Sequence, residues 1–121
     1  MAFLRNLLTL GRISNLPTVW TNCLAAWTVN AFASPIVREM PNPIEDLSLL
    51  AWGQLGWLLI GASLLYVAGC TLNDAFDQGF DEQHNPQRPI PSGEMKPMAV
   101  WLAGFAELIA GSLILLEFAE V

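Results

Sequence analysis

Hydrophobic and polar positions in this chain are segregated into blocks. Leu47 to Leu72 runs for 26 residues without a charge, longer than the ~20 residues a membrane-spanning helix needs. Met98 to Phe118 is a second apolar block, interrupted by Glu107 and Glu117. Leu16 to Phe32 is a third, with Asn22, Asn30 and several threonines as its polar members, and an uncharged extension through Val37 lengthens it. The pattern predicts an all-α, polytopic membrane protein with three transmembrane helices over about 16–37, 47–72 and 98–118. The second is expected to continue to about residue 82.

The segments between the blocks fit that outline. In residues 1–14, Phe3, Leu4, Leu7, Leu8 and Leu10 suit an amphipathic lead-in lying on the membrane surface. Arg5 and Arg12 ahead of an apolar stretch mimic a signal peptide. The stretch starts late, however, and Ser34-Pro35 is a poor cleavage site, so an uncleaved helix is expected. A loop at about 34–46 carries three prolines and ends in Glu45-Asp46, an acidic first turn for the second helix. Gly53, Gly56, Gly61, Ala62, Ser63, Ala68 and Gly69 mark that helix as one packed closely inside a bundle. Pro86, Pro89, Pro91 and Pro97 exclude a regular helix there, Ser92-Gly93 reads as a turn, and the third helix is expected after Pro97.

Composition agrees: 54% of residues are hydrophobic and 13% charged, against roughly a quarter charged in soluble domains. The net charge of -6 says less than its distribution. Arg5, Arg12, Arg88 and Lys96 fall on one side of the three predicted spans and Arg38 alone on the other. The positive-inside rule then puts the N-terminus and the 73–97 loop in the cytosol, in a bacterial inner membrane. The lipid bilayer is an expected partner, and nucleic acid is not. Cys23 and Cys70 lack pairing or metal spacing and read as small packing residues.

One cluster does not fit a plain membrane anchor. Asp74, Asp77, Asp81 and Glu82 place four carboxylates within nine positions, with no cation among them. On a helix turning about 100° per residue, Asn73, Asp77 and Asp81 share one ridge and Asp74 lies one step around. Like charges so arranged repel, so a positive partner is expected. Carboxylate and amide oxygens are hard ligands that suit Mg²⁺, which prefers one or two carboxylates completed by water and phosphate oxygens. Arg88 and Lys96 add two cations downstream, and arginine's planar fork matches phosphate.

With those residues in view, the chain resembles the UbiA-type intramembrane aromatic prenyltransferases. Asn73-Asp-Ala-Phe-Asp77-Gln-Gly-Phe-Asp81 is similar to that family's N-D-x-x-D-x-x-x-D motif, and Asn85-Pro-Gln-Arg88-Pro-Ile-Pro-Ser-Gly93 to the N-x-x-R-P-I-P-S-G segment after it. Arg12-Ile-Ser-Asn-Leu-Pro17 and Asn22 look more loosely like the start of the family's first helix. The resemblance implies a helical bundle that binds an allylic polyprenyl diphosphate through Mg²⁺ and transfers the prenyl group to an aromatic acceptor. A 4-hydroxybenzoate-like ring of quinone biosynthesis is the default acceptor. On the matching positions, Asn73 and Asp77 would lead the metal site, supported by Asp74 and Asp81. Arg88 would hold the diphosphate, with Lys96 and Asn22 as further candidates, and Asp77, Asp81 and Arg88 would carry the chemistry.

The chain departs from the family in one large respect. Members have about nine helices and a second motif, D-x-x-x-D, whereas the only acids after Lys96 are Glu107, Glu117 and Glu120. The chain therefore resembles the N-terminal third of such an enzyme, with the remainder of the bundle an implied partner. Glu107, near the middle of a span, is expected to hydrogen-bond a neighbouring helix or to face the missing cavity. His84 breaks the spacing of the acid ridge and reads as a loop histidine. Three other readings stand beside this one. CDP-alcohol phosphotransferases need D-G-x-x-A-R, absent after Asp77, and EF-hands need alternating loop ligands. The remaining alternative is a non-enzymatic membrane protein, or a subunit of a split enzyme, binding Mg²⁺ or a diphosphate lipid.

Overall fold

The computed structural model describes residues 2–33 and 49–119, and all regular structure among them is helical. α1 spans Ala2–Leu10, a 3-10 turn covers Ile13–Asn15, and α2 follows as Leu16–Ala33. α3 runs Leu49–Phe76, α4 is a short helix at Gln78–His84, and α5 spans Pro97–Ala119. Among the described residues two stretches are long and apolar enough to cross a membrane, Trp52–Phe76 and Pro97–Glu117. α2, with 18 residues, falls short because two asparagines and three threonines dilute its apolar content. The described part of the first predicted span, 16–37, is thus a helix of lower hydropathy. Val37, the loop at 34–46 and Arg38 lie outside the described residues.

The other boundaries sit close to expectation. α5 begins on Pro97 itself, since proline at the first helical position gives up only an N–H that would have no partner in the helix anyway. The helix leaving the second span does continue past Leu72, but it breaks at Asp77 (φ -82, ψ 6) before α4 resumes. Backbone bonds still pass the break, from Asp77 N to Asn73 O at 2.9 Å and from Asp81 N to Asp77 O at 2.9 Å.

α3 packs mainly on α5, and less on α2 and α1. The α3–α5 seam is built on small residues seven apart. Gly61, Ala68 and Ala75 are buried along α3, and Gly104 and Gly111 along α5. A Cβ on Gly61 would lie 2.6 Å from Leu115, and one on Gly104 would lie 2.7 Å from Leu72. One on Gly111 would meet the Gly61 carbonyl at 3.1 Å. The pairings of 61 with 115 and 72 with 104 describe antiparallel helices in a single register. Without a hydrophobic drive between helices in lipid, such close backbone approach supplies the packing energy. Gly53, Gly56 and Gly69, also expected at the interface, have open space around them.

A compact apolar cluster closes the end of the bundle where α3 meets the loop. Leu10 of α1, Ala75 of α3, Ile90 and Met95 of the loop and Val100 of α5 pack together, with Leu7 and Trp101 against them. The proline-rich loop is therefore folded back onto the helices. Met95 N donates to Pro89 O at 2.8 Å, and Gly93 takes φ +79 to complete the turn.

Candidate functional site

The acid cluster stands at the junction of α3, α4 and this loop. There the structure divides it into two groups. Asn73 and Asp77 are exposed, and Asn73 Nδ2 donates to Asp77 Oδ2 at 2.8 Å. Asp74 and Asp81 are buried, at 5% and 4% exposure, and both face Arg88. Arg88 Nη1 donates to Asp74 Oδ1 at 2.8 Å and to Asp81 Oδ2 at 3.0 Å. Asn85 Nδ2 satisfies the other oxygen, Asp81 Oδ1, at 2.8 Å. The expected single ridge of oxygens through Asn73, Asp77 and Asp81 is thus split, because the break at Asp77 and the pull of Arg88 turn Asp81 inward.

A second cation reaches the buried group from the start of the chain. Arg12, in a left-handed conformation at φ 47, brings its Nη2 to within 3.4 Å of Asp74 Oδ1. The expected positive partner is therefore present within the chain itself, as two arginines. Asp74 and Asp81 against Arg12 and Arg88 make a charge-balanced cluster, which is how buried carboxylates are accommodated. Asp77 and Glu82 remain on the exposed side, Glu82 accepting from Gln78 Nε2 at 2.9 Å.

The other candidates lie apart from this cluster. Lys96 is exposed, and its carbonyl accepts from Ala99 N and Val100 N as α5 begins. Asn22 is exposed on α2, with no hydrogen bond joining it to the acids among the described residues. His84 stacks on Phe80, ring centroids 4.0 Å apart, with Nδ1 3.0 Å from the Phe80 carbonyl oxygen. Glu107 is directed at α3 near Thr71. Its Oε2 and Thr71 Oγ1 are both buried without a partner at bonding distance among the described residues.

Sequence reasoning did not single out Arg12 as an ion-pair partner, Asn85 as the amide on Asp81, or Ile90 and Met95 as core. Arg12 lies 62 residues from Asp74, beyond any local pattern. Asn85 sits four after Asp81, a spacing that does announce contact on a helix.

The implied Mg²⁺ can be tested against these side chains. Among the described residues no three acidic, histidine or cysteine side chains converge as a metal site. The exposed pair offers one carboxylate free of arginine and one amide oxygen. That donor set fits a magnesium ion whose remaining ligands are water and phosphate oxygens. Asp81 has both oxygens engaged, by Arg88 and Asn85, and Asp74 has its Oδ1 engaged by Arg88 and Arg12.

The chain is similar in sequence to several known proteins. The digeranylgeranylglyceryl phosphate synthase of Pyrococcus horikoshii is 32% identical over 97 residues, covering 78% of this chain and 31% of the relative. The 4-hydroxybenzoate octaprenyltransferase of Herminiimonas arsenicoxydans is 37% identical over 72 residues, 58% of this chain and 23% of its own. The mitochondrial 4-hydroxybenzoate polyprenyltransferase of Homo sapiens is 34% identical over 74 residues, 58% of this chain and 20% of its own. The chain thus spans no more than about a third of the length of these relatives. No solved structure matches it. The model of the UbiA prenyltransferase family matches residues 44–120, a stretch that includes α3, the acid cluster, the loop and all of α5, and the chain belongs to that family.

Proposed function

We propose that this chain supplies the donor-diphosphate part of an intramembrane prenyltransferase, acting at the cytosolic face of a bacterial inner membrane. Asn73 and Asp77 hold Mg²⁺ together with the diphosphate of an allylic polyprenyl substrate. Asp74 and Asp81 take the supporting role of fixing Arg88 beside them, and Lys96 adds an exposed cation just before α5. When bound, the metal neutralises the departing diphosphate as a Lewis acid. The carrying observation is the exposed Asn73–Asp77 pair at 2.8 Å, set against a charge-balanced buried cluster. An apolar hollow of about 570 Å³ between α2 and α3, walled by Leu16, Trp20, Leu59, Ile60 and Leu64, supports room for a prenyl tail. It ends nine residues before Asn73, roughly 14 Å away along a helix rising ~1.5 Å per residue.

The donor reading is further supported by the relatives. One is named for a glyceryl phosphate product and others for 4-hydroxybenzoate, so prenyl transfer is what their names share. We take 4-hydroxybenzoate, a quinone precursor ring, as the acceptor for this protein, attacked through an electron-rich carbon while the membrane keeps water from the allylic cation. The test is binding of labelled geranyl diphosphate to the purified chain with and without Mg²⁺. Asp77→Asn is expected to weaken the Mg²⁺-dependent component about 10- to 100-fold, the loss of a charged ligand. Unchanged affinity would remove Asp77 from the site.

A further inference from the structure

We propose that the recess formed by α1 and the 3-10 turn binds the phosphate headgroup of an anionic glycerophospholipid. The recess has a volume of about 530 Å³ and is lined by Arg5, Leu8, Thr9, Arg12, Ser14 and Asn15, with Ile13 at its edge. It gathers two of the five cations in a chain that also carries eleven acids, and none of those acids lines it. Arg5 forms no ion pair among the described residues. Arg12 gives one nitrogen to Asp74 at 3.4 Å while its side chain stays 44% exposed, leaving other N–H donors of its fork for an anion. The Ser14 hydroxyl is exposed beside them. The left-handed turn at Arg12 is what folds α1 and the 3-10 turn around one hollow.

Depth argues for a lipid. Gly11 packs on Val67 of α3 and Arg12 reaches Asp74, so the recess flanks the stretch where α3 passes from apolar to acidic. That is the level of the headgroups. Leu8 and Ile13, which line it, are exposed at 40% and 39%, and Phe3 and Leu4 of the same helix α1 at 55% and 60%. An apolar rim beside paired arginines is the arrangement by which interfacial helices take acyl chains and anionic headgroups together. A free phosphate would use the arginines and leave the rim unmatched.

The test counts lipids retained by the full chain. The protein is reconstituted in nanodiscs of equal parts dioleoylphosphatidylglycerol and dioleoylphosphatidylcholine, then released into mild detergent and weighed by native mass spectrometry. Phosphatidylglycerol is expected to be retained preferentially. Arg5→Gln is expected to lower that retention about fivefold, and Arg5→Lys to restore most of it. Arg5 is exposed and its side chain makes no hydrogen bond or ion pair among the described residues, so neither variant removes a described fold contact. Mg²⁺-dependent binding of geranyl diphosphate stays unchanged in Arg5→Gln, which separates this site from the acid pair. Equal retention of the two lipids, or no effect of Arg5→Gln, would overturn the proposal. Displacement of the lipid by inorganic phosphate or diphosphate would assign the recess to a soluble anion and overturn it too.

Discussion

Arg88 holds two buried carboxylates through one nitrogen, and removing it gives the most informative perturbation. In Arg88→Gln, Asp81 keeps only the Asn85 amide, and Asp74 keeps only Arg12 at 3.4 Å. Removing one partner of a buried ion pair costs about 3–5 kcal/mol. The Arg88 side chain is 34% exposed, and Arg12 stays in place, so solvent and the second cation reduce the figure to about 2–3 kcal/mol. Asp81→Asn deletes one acceptor charge while Arg88 retains Asp74, and is expected to cost about 1–2 kcal/mol. Arg12→Gln, acting on a longer and 44% exposed pair, is expected to cost under about 1 kcal/mol.

The assay is reversible unfolding in mixed micelles with rising SDS fraction, followed by tryptophan fluorescence. Trp101 is a useful reporter, since it packs edge-on to Phe76 at 4.5 Å and lies against the apolar cluster that the loop completes. The double variant Arg88→Gln/Asp81→Asn decides the matter. If the two side chains work as a pair, its cost falls short of the sum of the single costs by about 1–3 kcal/mol. Costs that add to within about 0.5 kcal/mol would refute the pairing. So would an Arg12→Gln variant less stable than Arg88→Gln.

Two further predictions concern glycines. Gly61→Val drives a side chain into Leu115, where even a Cβ would stand 2.6 Å away, and is expected to cost about 1–3 kcal/mol in the same unfolding assay. Gly69→Ala, with nothing within 4 Å, should change stability by at most about 1 kcal/mol, in the stabilising direction; equal losses for both would refute the seam. Gly93→Ala places a Cβ on a residue at φ +79, at a cost of about 1–2 kcal/mol. It should speed limited proteolysis within 85–96, and unchanged cleavage would show that the turn does not hold the loop.

Much of the fold was legible because the long helices announce themselves by sustained apolar length. α3 and α5 needed nothing beyond that and the proline run between them. α2 was harder, since Asn22, Asn30 and the threonines lower its hydropathy without stopping the helix. The small-residue face of α3 was visible as composition, but only packing distinguishes Gly61 and Ala68, at the seam, from Gly53 and Gly69, outside it. In the acid cluster the residue types were plain and their directions were not. A straight helix would have carried Asn73, Asp77 and Asp81 along one side. The break at Asp77 and two arginines, one of them distant in sequence, decided which oxygens turn inward. The loop hid its core residues, Ile90 and Met95, because prolines and polar neighbours mask an apolar pair with no regular period.

The split has a consequence for charge. Two unit charges about 4 Å apart interact by roughly 4 kcal/mol at the effective dielectric of a protein surface, and by more as water is excluded. Two aspartates buried side by side would therefore exclude one another unless matched, and Arg12 and Arg88 match them one for one. Of the acid cluster, what then faces outward is the charge of Asp77 and Glu82, with Asn73 bonded to the first. On the proposed reading, an arriving divalent ion would meet Asp77 before the buried Asp74 and Asp81. Stability and ligand binding should accordingly part company between neighbours on the same short helix turn. Asp77→Asn is expected to leave unfolding within about 0.5 kcal/mol of the parent, as for exposed surface changes, while losing Mg²⁺-dependent diphosphate binding. Asp81→Asn should do the reverse. A chain that keeps its stability as Asp81→Asn yet loses that binding would move Asp81 from the ion cluster into the metal site.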